Sequence, residues 1–304
     1  MSNSLGGNVT KFTNRLDQII EQEAKTSFLN INGDLIGEFS GVGEVKLPTV
    51  VVQGLGDYDR ANGFAAGDAT VSWQTYALRY DRGREFSIDV MDDEEHELLV
   101  SANVMAEFAR TKVIPEVDAL RFALLCGGAG ETTSQNITTP EDALDAVLEA
   151  EEHFEGLGYD VSGLVLNLSA GMKGLLRKAQ PWRKAQPWRM SEGGTPDTRF
   201  DTFDGMRLNV IPTNRFYSAI DLKDGKTAGQ TGGGYAKASA GKGINFLIAA
   251  PEAAVALQKH EKLRYFAPDT NQDKDAHKWQ YRLFHDLIVY YQKADLIFAN
   301  IATS

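Results

Sequence analysis

YDRGREFSIDVMDDEE, residues 80–95, changes its period halfway along. A turn is expected near Asp81-Arg82-Gly83, after which Phe86, Ile88 and Val90 alternate with Ser87 and Asp89. That two-residue period belongs to a strand with one sheltered face. Asp92, Asp93, Glu94 and Glu95 then place four carboxylates where the positive end of a helix dipole favours them. Leu98, Ala102, Met105 and Phe108 or Ala109 follow at helical spacing. The stretch is a junction between a long extended region and a long helix.

Upstream, the extended region reaches back to Val45. Val45, Leu47, Val50, Val51 and Val52 lead into GLGDYDRANGFAAGDA, and Tyr76, Leu78 and Tyr80 share a face on the way back. This reads as a projecting two-stranded ribbon, marginal in water unless something covers it. The first ~25 residues are polar with scattered apolar groups and suggest an arm, with one short helix over Phe12–Glu23. Downstream, Pro115 should kink or interrupt the helix, and Gly127-Gly128 should stop it.

Residues 129–262 read as an α/β region. Thr139 is the expected cap of a helix with Pro140 in its first turn and Leu144, Val147, Leu148 and Phe154 on its buried side. Strands are expected from Gly163 to Leu168, at 207–212, at 216–221 and from Ile244 to Ala249, the last feeding a helix that starts at Pro251. The last forty residues alternate again through Trp279, Tyr281 and Leu283, turn at Lys293-Ala294-Asp295, and end in a strand from Leu296 to Ile301.

Composition narrows the function classes. With 42% apolar and 24% charged residues the chain is of ordinary globular type, and its net charge of −11 has the wrong sign for a general nucleic-acid binder. The single cysteine, Cys126, allows no internal disulfide and fits a reducing compartment. No apolar run approaches the ~20 residues that span a bilayer, and the N-terminal residues lack the pattern of a secretion signal.

The order of parts resembles the Hong Kong 97-type major capsid proteins of tailed bacteriophages. The residues that carry the likeness are YDRGREFSIDVMDDEE, VIPEVDALRFALL (113–125) and FHDLIVYYQKADLIFAN (284–300). The resemblance implies an α+β fold with an N-terminal arm at 1–27, an extended β-ribbon loop at 28–90, and a peripheral domain at 91–135 whose spine helix covers 92–127. An axial domain at 136–262 and a return to the peripheral domain at 263–304, through a β-hairpin, complete it. It further implies a non-enzymatic coat protein that binds itself in hexamers and pentamers of an icosahedral shell around double-stranded DNA, in the virion, with assembly in the host cytoplasm. A separate scaffolding protein, a portal and decoration proteins are the expected partners; no cofactor, metal or membrane is expected. An encapsulin-like compartment shell is the alternative from the same fold, and an α/β hydrolase the alternative from another class. Some relatives join a ribbon lysine covalently to a neighbour's asparagine. No lysine lies between Lys46 and Lys112 here, so noncovalent contacts are expected.

The contact candidates are Tyr58, Phe64 and Trp73 on the ribbon, Arg82, Arg84 and Glu85 at its base, and Phe12 in the arm. Trp182 and Trp188 join them from RKAQPWRKAQPW (177–188), a hexapeptide written twice. That repeat admits three readings: a basic aromatic strip for single-stranded nucleic acid, a contact between subunits, or a surface-loop duplication tolerated because loop length costs little entropy. Other motifs fall short of their chemistry. LNLSAGMKG (166–174) has the layout of a nucleophile elbow but Asn167 stands where glycine is needed, so Ser169 reads as a helix cap. GGGYAKASAGKG (232–243) breaks the phosphate-loop pattern at Ala236 and Gly243, and reads as a flexible surface loop. DTNQDKD (269–275) departs from a calcium loop at Lys274 and reads as a solvated turn between domains. The five histidines lack metal-ligand spacing, and Cys126 reads as a small core residue.

Overall fold

The computed structural model describes residues 24–30, 44–60, 63–64, 66–89, 105–179, 189–190, 196–197 and 202–303. In chain order the first elements are β1 (Glu44–Val52), β2 (Ala69–Ala77), β3 (Tyr80–Asp89) and a helical run from Met105 that ends as α1 (Ile114–Gly127). They are followed by β4 (Glu131–Ser134), α2 (Pro140–Gly156), β5 (Val165–Ser169) and α3 (Ala170–Leu176). Short pieces come next: β6 (Arg189–Met190), β7 (Pro196–Asp197), β8 (Thr202–Phe203), β9 (Met206–Ile211), β10 (Ile220–Leu222) and β11 (Tyr235–Lys237). The chain closes with β12 (Ile244–Ala249), β13 (Ala254–Phe266), β14 (Ala276–Val289) and β15 (Ile297–Ile301).

A six-stranded mixed sheet, ordered β4-β15-β12-β5-β9-β8, holds the larger core. Its central strand β12 reads INFLIA, without polar alternation beyond Asn245, because it is covered on both faces: Phe246, Leu247, Ile248 and Ala249 are all fully buried. Helix α2 lays Ala143, Ala146, Val147, Ala150 and Phe154 into the same core. Thr139 caps that helix as expected, its Oγ1 accepting from Asp142 N at 3.1 Å, and Pro140 sits in the first turn where its missing N–H costs nothing. Leu148, expected inside, is on the exposed side.

A three-stranded antiparallel sheet, β13-β14-β3, carries the second core. Met105, Ala109, Val113 and Val117 of the long helix pack on Leu263, Trp279, Tyr281 and Leu283. The helix is interrupted where the sequence predicts. Ala109–Val113 winds as a π-helix, and the α-helix resumes at Ile114 with Pro115 in its first turn, which absorbs the absent proline donor. Gly128 follows as C-cap. The acidic start of the helix at 92–95 lies outside the described residues, as does the expected arm helix.

Four expectations are corrected. The chain does not turn at Asp81-Arg82-Gly83. β3 runs straight through, with Gly83 opposite Arg282, and a Cβ on Gly83 would come within 3.0 Å of Tyr281 O. Residues after Pro251 form no helix. Ala254–Phe266 is a long strand paired with β14 from Ala254↔Val289 to Phe266↔Lys278. Its alanines favour a helix locally, but pairing along thirteen residues overrides that preference. The last strands are not a hairpin with each other: β14 lies between β13 and β3, whereas β15 lies between β12 and β4 in the other sheet. The segment from 216 to 221 is a strand only from Ile220, after a 3-10 turn at Thr213–Arg215.

Candidate interaction surface

β1 and β2 pair only with one another among the described strands, in register from Glu44↔Ala77 to Val52↔Ala69. Directly opposed residues in an antiparallel pair share a face. Val45 and Tyr76 share the one that turns inward at the root, where Val45 and Leu78 are buried against Val255, Leu257 and Ile288. Val52, Ala69, Val71 and Trp73 share the opposite face, and all four are exposed. The ribbon therefore anchors one face at its root, and farther out both faces are exposed, Val51 and Thr70 on the first and Val52, Ala69, Val71 and Trp73 on the second. Beyond the strands Leu55 is fully exposed, Phe64 is 89% exposed and Tyr58 is 60% exposed. The Tyr58 and Phe64 rings lie 4.8 Å apart, centroid to centroid, tilted at 58°. A Cβ on Gly54, Gly63 or Gly67 would meet nothing within 4 Å among the described residues.

The expected ribbon residues Tyr58, Phe64 and Trp73 thus come together on one projecting element, joined by Leu55, Val51, Val52 and Val71, which the sequence reading did not single out as contacts. Alternation along β2 carries the signal for Val71, since it sits two residues before Trp73.

The charged trio has partners within the chain. Arg82 Nε binds Glu116 Oε1 of α1 at 2.6 Å, while its Nη1 and Nη2 donate to Lys223 O at 2.9 Å and Gly234 O at 3.3 Å. Both Nη groups of Arg84 donate to Thr231 O at 3.2 Å. Glu85 accepts from Gln280 Nε2 at 2.7 Å and faces Lys278 Nζ at 3.4 Å. Arg82 and Arg84 hold the loop between β10 and β11 against the sheet, so the glycine-rich stretch is a clamped wall rather than a free loop. Gly233 and Gly234 take positive φ of 65° and 78° there. Phe12, Trp182 and Trp188 lie outside the described residues.

Ser169 caps α3, its Oγ accepting from Met172 N at 3.2 Å. The 269–275 turn joins β13 to β14 within one hairpin instead of linking domains, and Asp273 there takes the Lys278 ammonium at 2.6 Å. Among the described residues no group of three His, Cys, Asp or Glu side chains is placed to hold a metal, and no helix is long and apolar enough to cross a membrane. Cys126 is buried, and burial pushes its thiol up to about 11.

His285 stands opposite Tyr80 in the β14–β3 pairing, 2% exposed, with no hydrogen-bond partner on Nδ1. Burial, reinforced by the charges of Arg121 and Arg82, holds its pKa down to about 3. A depressed folded-state pKa favours the neutral ring. The stability it confers is complete above the unfolded value near 6.5 and is lost as pH falls from there toward about 3, at about 1.4 kcal/mol per unit. Urea unfolding at about pH 7 and about pH 4.5 checks this: His285→Gln is expected to lose less stability than the parent on acidification, and equal losses would contradict the assignment.

No family model matches the chain, and no curated protein matches it. Solved structures do. The asymmetric unit of the bacteriophage PhiM1 mature capsid aligns with a TM-score of 0.59 at 11% identity, over 86% of this chain and 83% of that one. The capsid structure of the cyanophage P-SCSP1u gives 0.57 at 10% identity, over 88% and 85%. A structure from Mycobacterium phage Che8 gives 0.53 at 13% identity, over 86% and 85%. Strand order, long helix and projecting ribbon thus build an α+β fold shared with phage capsid structures, the Hong Kong 97-like fold that the sequence resembles.

Proposed function

We propose that the chain is the major capsid protein of a tailed-bacteriophage head, assembling as hexamers and pentamers into an icosahedral shell around double-stranded DNA. One observation carries the reading: on a capsid-type fold, an apolar ribbon face is left exposed among the described residues. Apolar surface of this kind is stabilised when it leaves water, and a second copy offers the same surface repeatedly in a closed symmetric assembly. Residues 44–77 act as the extended loop, the helix from 105 to 127 with the three-stranded sheet as the peripheral domain, and the six-stranded sheet as the core of the axial domain. The protein works as a structural element of the virion and catalyses no reaction. Its net charge of −11 suits a wall that contains DNA without sequence-specific contacts. A separate scaffolding protein guides assembly in the host cytoplasm; the portal and decoration proteins join the same shell.

Expression with and without a candidate scaffolding protein tests the reading. A large species in size-exclusion chromatography and closed shells in negative-stain micrographs are expected. A monomer under both conditions sinks it. Nuclease-protected duplex DNA inside native particles supports a phage head, and protein cargo in its place would favour a storage compartment.

A further inference from the structure

A cavity of about 480 Å³ lies between residues 24–30, β9 and the 3-10 turn that follows β9. Lys25, Arg207 and Arg215 line it, and no lining residue is acidic. In a chain of net charge −11 this is a local reversal of sign. Asp118 compensates one of the three cations, its Oδ2 accepting from Arg215 Nη1 at 3.2 Å. Among the described residues neither Lys25 nor Arg207 has a carboxylate within ion-pair distance. Two positive charges are left over.

The walls are held from behind. Asp118 also accepts from Lys25 N and Thr26 N, each at 3.1 Å, and Asn209 Nδ2 donates to Lys25 O at 2.7 Å. One buried carboxylate thus orients both Arg215 and the segment bearing Lys25 before any ligand arrives, which lowers the cost of binding. Arg215 Nε is buried without a hydrogen-bond partner, and such a donor recovers its lost hydration only from an acceptor. Ser27 brings a hydroxyl to the same lining. We infer that this cavity binds phosphate groups, held by Lys25, Arg207 and the Nε edge of Arg215 with Ser27 as a further donor. Guanidinium forks match phosphate oxygens in pairs, and the ammonium adds a point charge. A phosphate with a free second ionisation carries about −1.5 to −2 near neutrality, which balances the two surplus charges, whereas a carboxylate balances one. Two consecutive diester groups of a nucleic-acid backbone balance them equally. The sources of this chemistry are therefore a free phosphate ion and the backbone of packaged duplex, a contact that reads no sequence. The second source rests on the shell reading; the site itself does not.

Thermal unfolding of the expressed protein tests the site. In about 10 mM phosphate the midpoint should rise by about 2–4 °C over chloride of equal ionic strength. Lys25→Gln with Arg207→Gln, at two exposed side chains, should lose that rise. No rise in the parent overturns the inference. So does an equal rise in the variant, which is the general effect of an excluded salt. If the variant does not fold, phosphorus NMR of the parent decides. Broadening of the phosphate line that saturates near one phosphate per chain is expected, and a response that never saturates overturns the inference. Filter binding of a short DNA duplex separates the sources. If backbone phosphates occupy the cavity, the slope of log affinity against log salt should be shallower by about 2 in the variant. Equal slopes, with the phosphate response still lost, assign the cavity to the free ion. A chain that forms no shells yet keeps its phosphate response overturns the shell reading alone.

Discussion

Phe64→Ser combined with Trp73→Ser is expected to give a folded subunit that no longer closes into shells. Phe64 is 89% exposed and Trp73 59% exposed, so neither contributes to the cores beneath the two sheets. Circular dichroism and the urea midpoint of the isolated subunit should therefore match the parent, since surface substitutions away from a packed core shift stability by about 0.5 kcal/mol or less. Assembly is different. Burying a large apolar side chain contributes about 1.5–3 kcal/mol, so the pair removes about 4 kcal/mol from each contact, roughly a thousandfold in its association constant. A shell multiplies that loss, because every subunit is held on several sides and each weakened contact lowers the effective concentration for the next. Sedimentation and negative-stain counting measure the effect. Shell yields at the parental level would remove the apolar ribbon face from the account of assembly.

The same ribbon explains how far the sequence could be read. The extended character of β1, β2 and the second half of β3 was legible, since Phe86 and Ile88 alternate with Ser87 and Asp89 without help from the rest of the chain, but the first residues of β3 were read as a turn. α2 was legible from its cap, its proline and its apolar stripe. What failed was long-range. Ala254–Phe266 is built from residues that suit a helix, and only the presence of β14 beside it makes a strand the better state. The separation of β14 from β15 into different sheets was invisible for the same reason: each strand's own pattern fits a hairpin, and the choice of partner is made in three dimensions.

Charged residues divide in the same way. Exposed arginines beside a ribbon invite an intermolecular reading, yet Arg82 reaches across to Glu116, thirty-four positions away, and to two loop carbonyls. Sequence spacing does not reveal such a brace, because its three partners come from elements that only the fold brings together. A cavity of about 620 Å³ that this brace helps to frame was hidden too, because Arg82, Arg84, Lys112, Lys223 and Lys237, which line it, make no basic patch in the linear chain. The ribbon tip was visible as a run, GLGDYDRANGFAAGDA, because a hairpin end is local.

Asp118→Ala is expected to cost the subunit about 3–5 kcal/mol, the scale for removing one partner of a buried ion pair. Asp118 is fully buried in α1, and its two oxygens accept from Lys25 N at 3.1 Å, Thr26 N at 3.1 Å, Thr26 Oγ1 at 2.8 Å and Arg215 Nη1 at 3.2 Å. Arg121, three residues and nearly a full turn further along the same helix, is also buried and donates to Thr26 Oγ1 and Asn30 Oδ1, each at 3.1 Å. Burial pulls its pKa down to about 10 even though the charge of Asp118 opposes that fall. Alanine at 118 therefore does two things at once. It orphans two backbone donors of the 24–30 segment, and it leaves a guanidinium in a dry site without its counter-charge. Urea denaturation should show a lower midpoint with unchanged slope. Asp118→Asn, which keeps an acceptor but not the charge, should fall between parent and alanine. Adding Arg121→Met to Asp118→Ala should recover part of the loss, because the stranded charge goes with it. If Asp118→Ala costs less than about 1 kcal/mol, or if Arg121→Met deepens the loss, the carboxylate is not what ties residues 24–30 to the long helix.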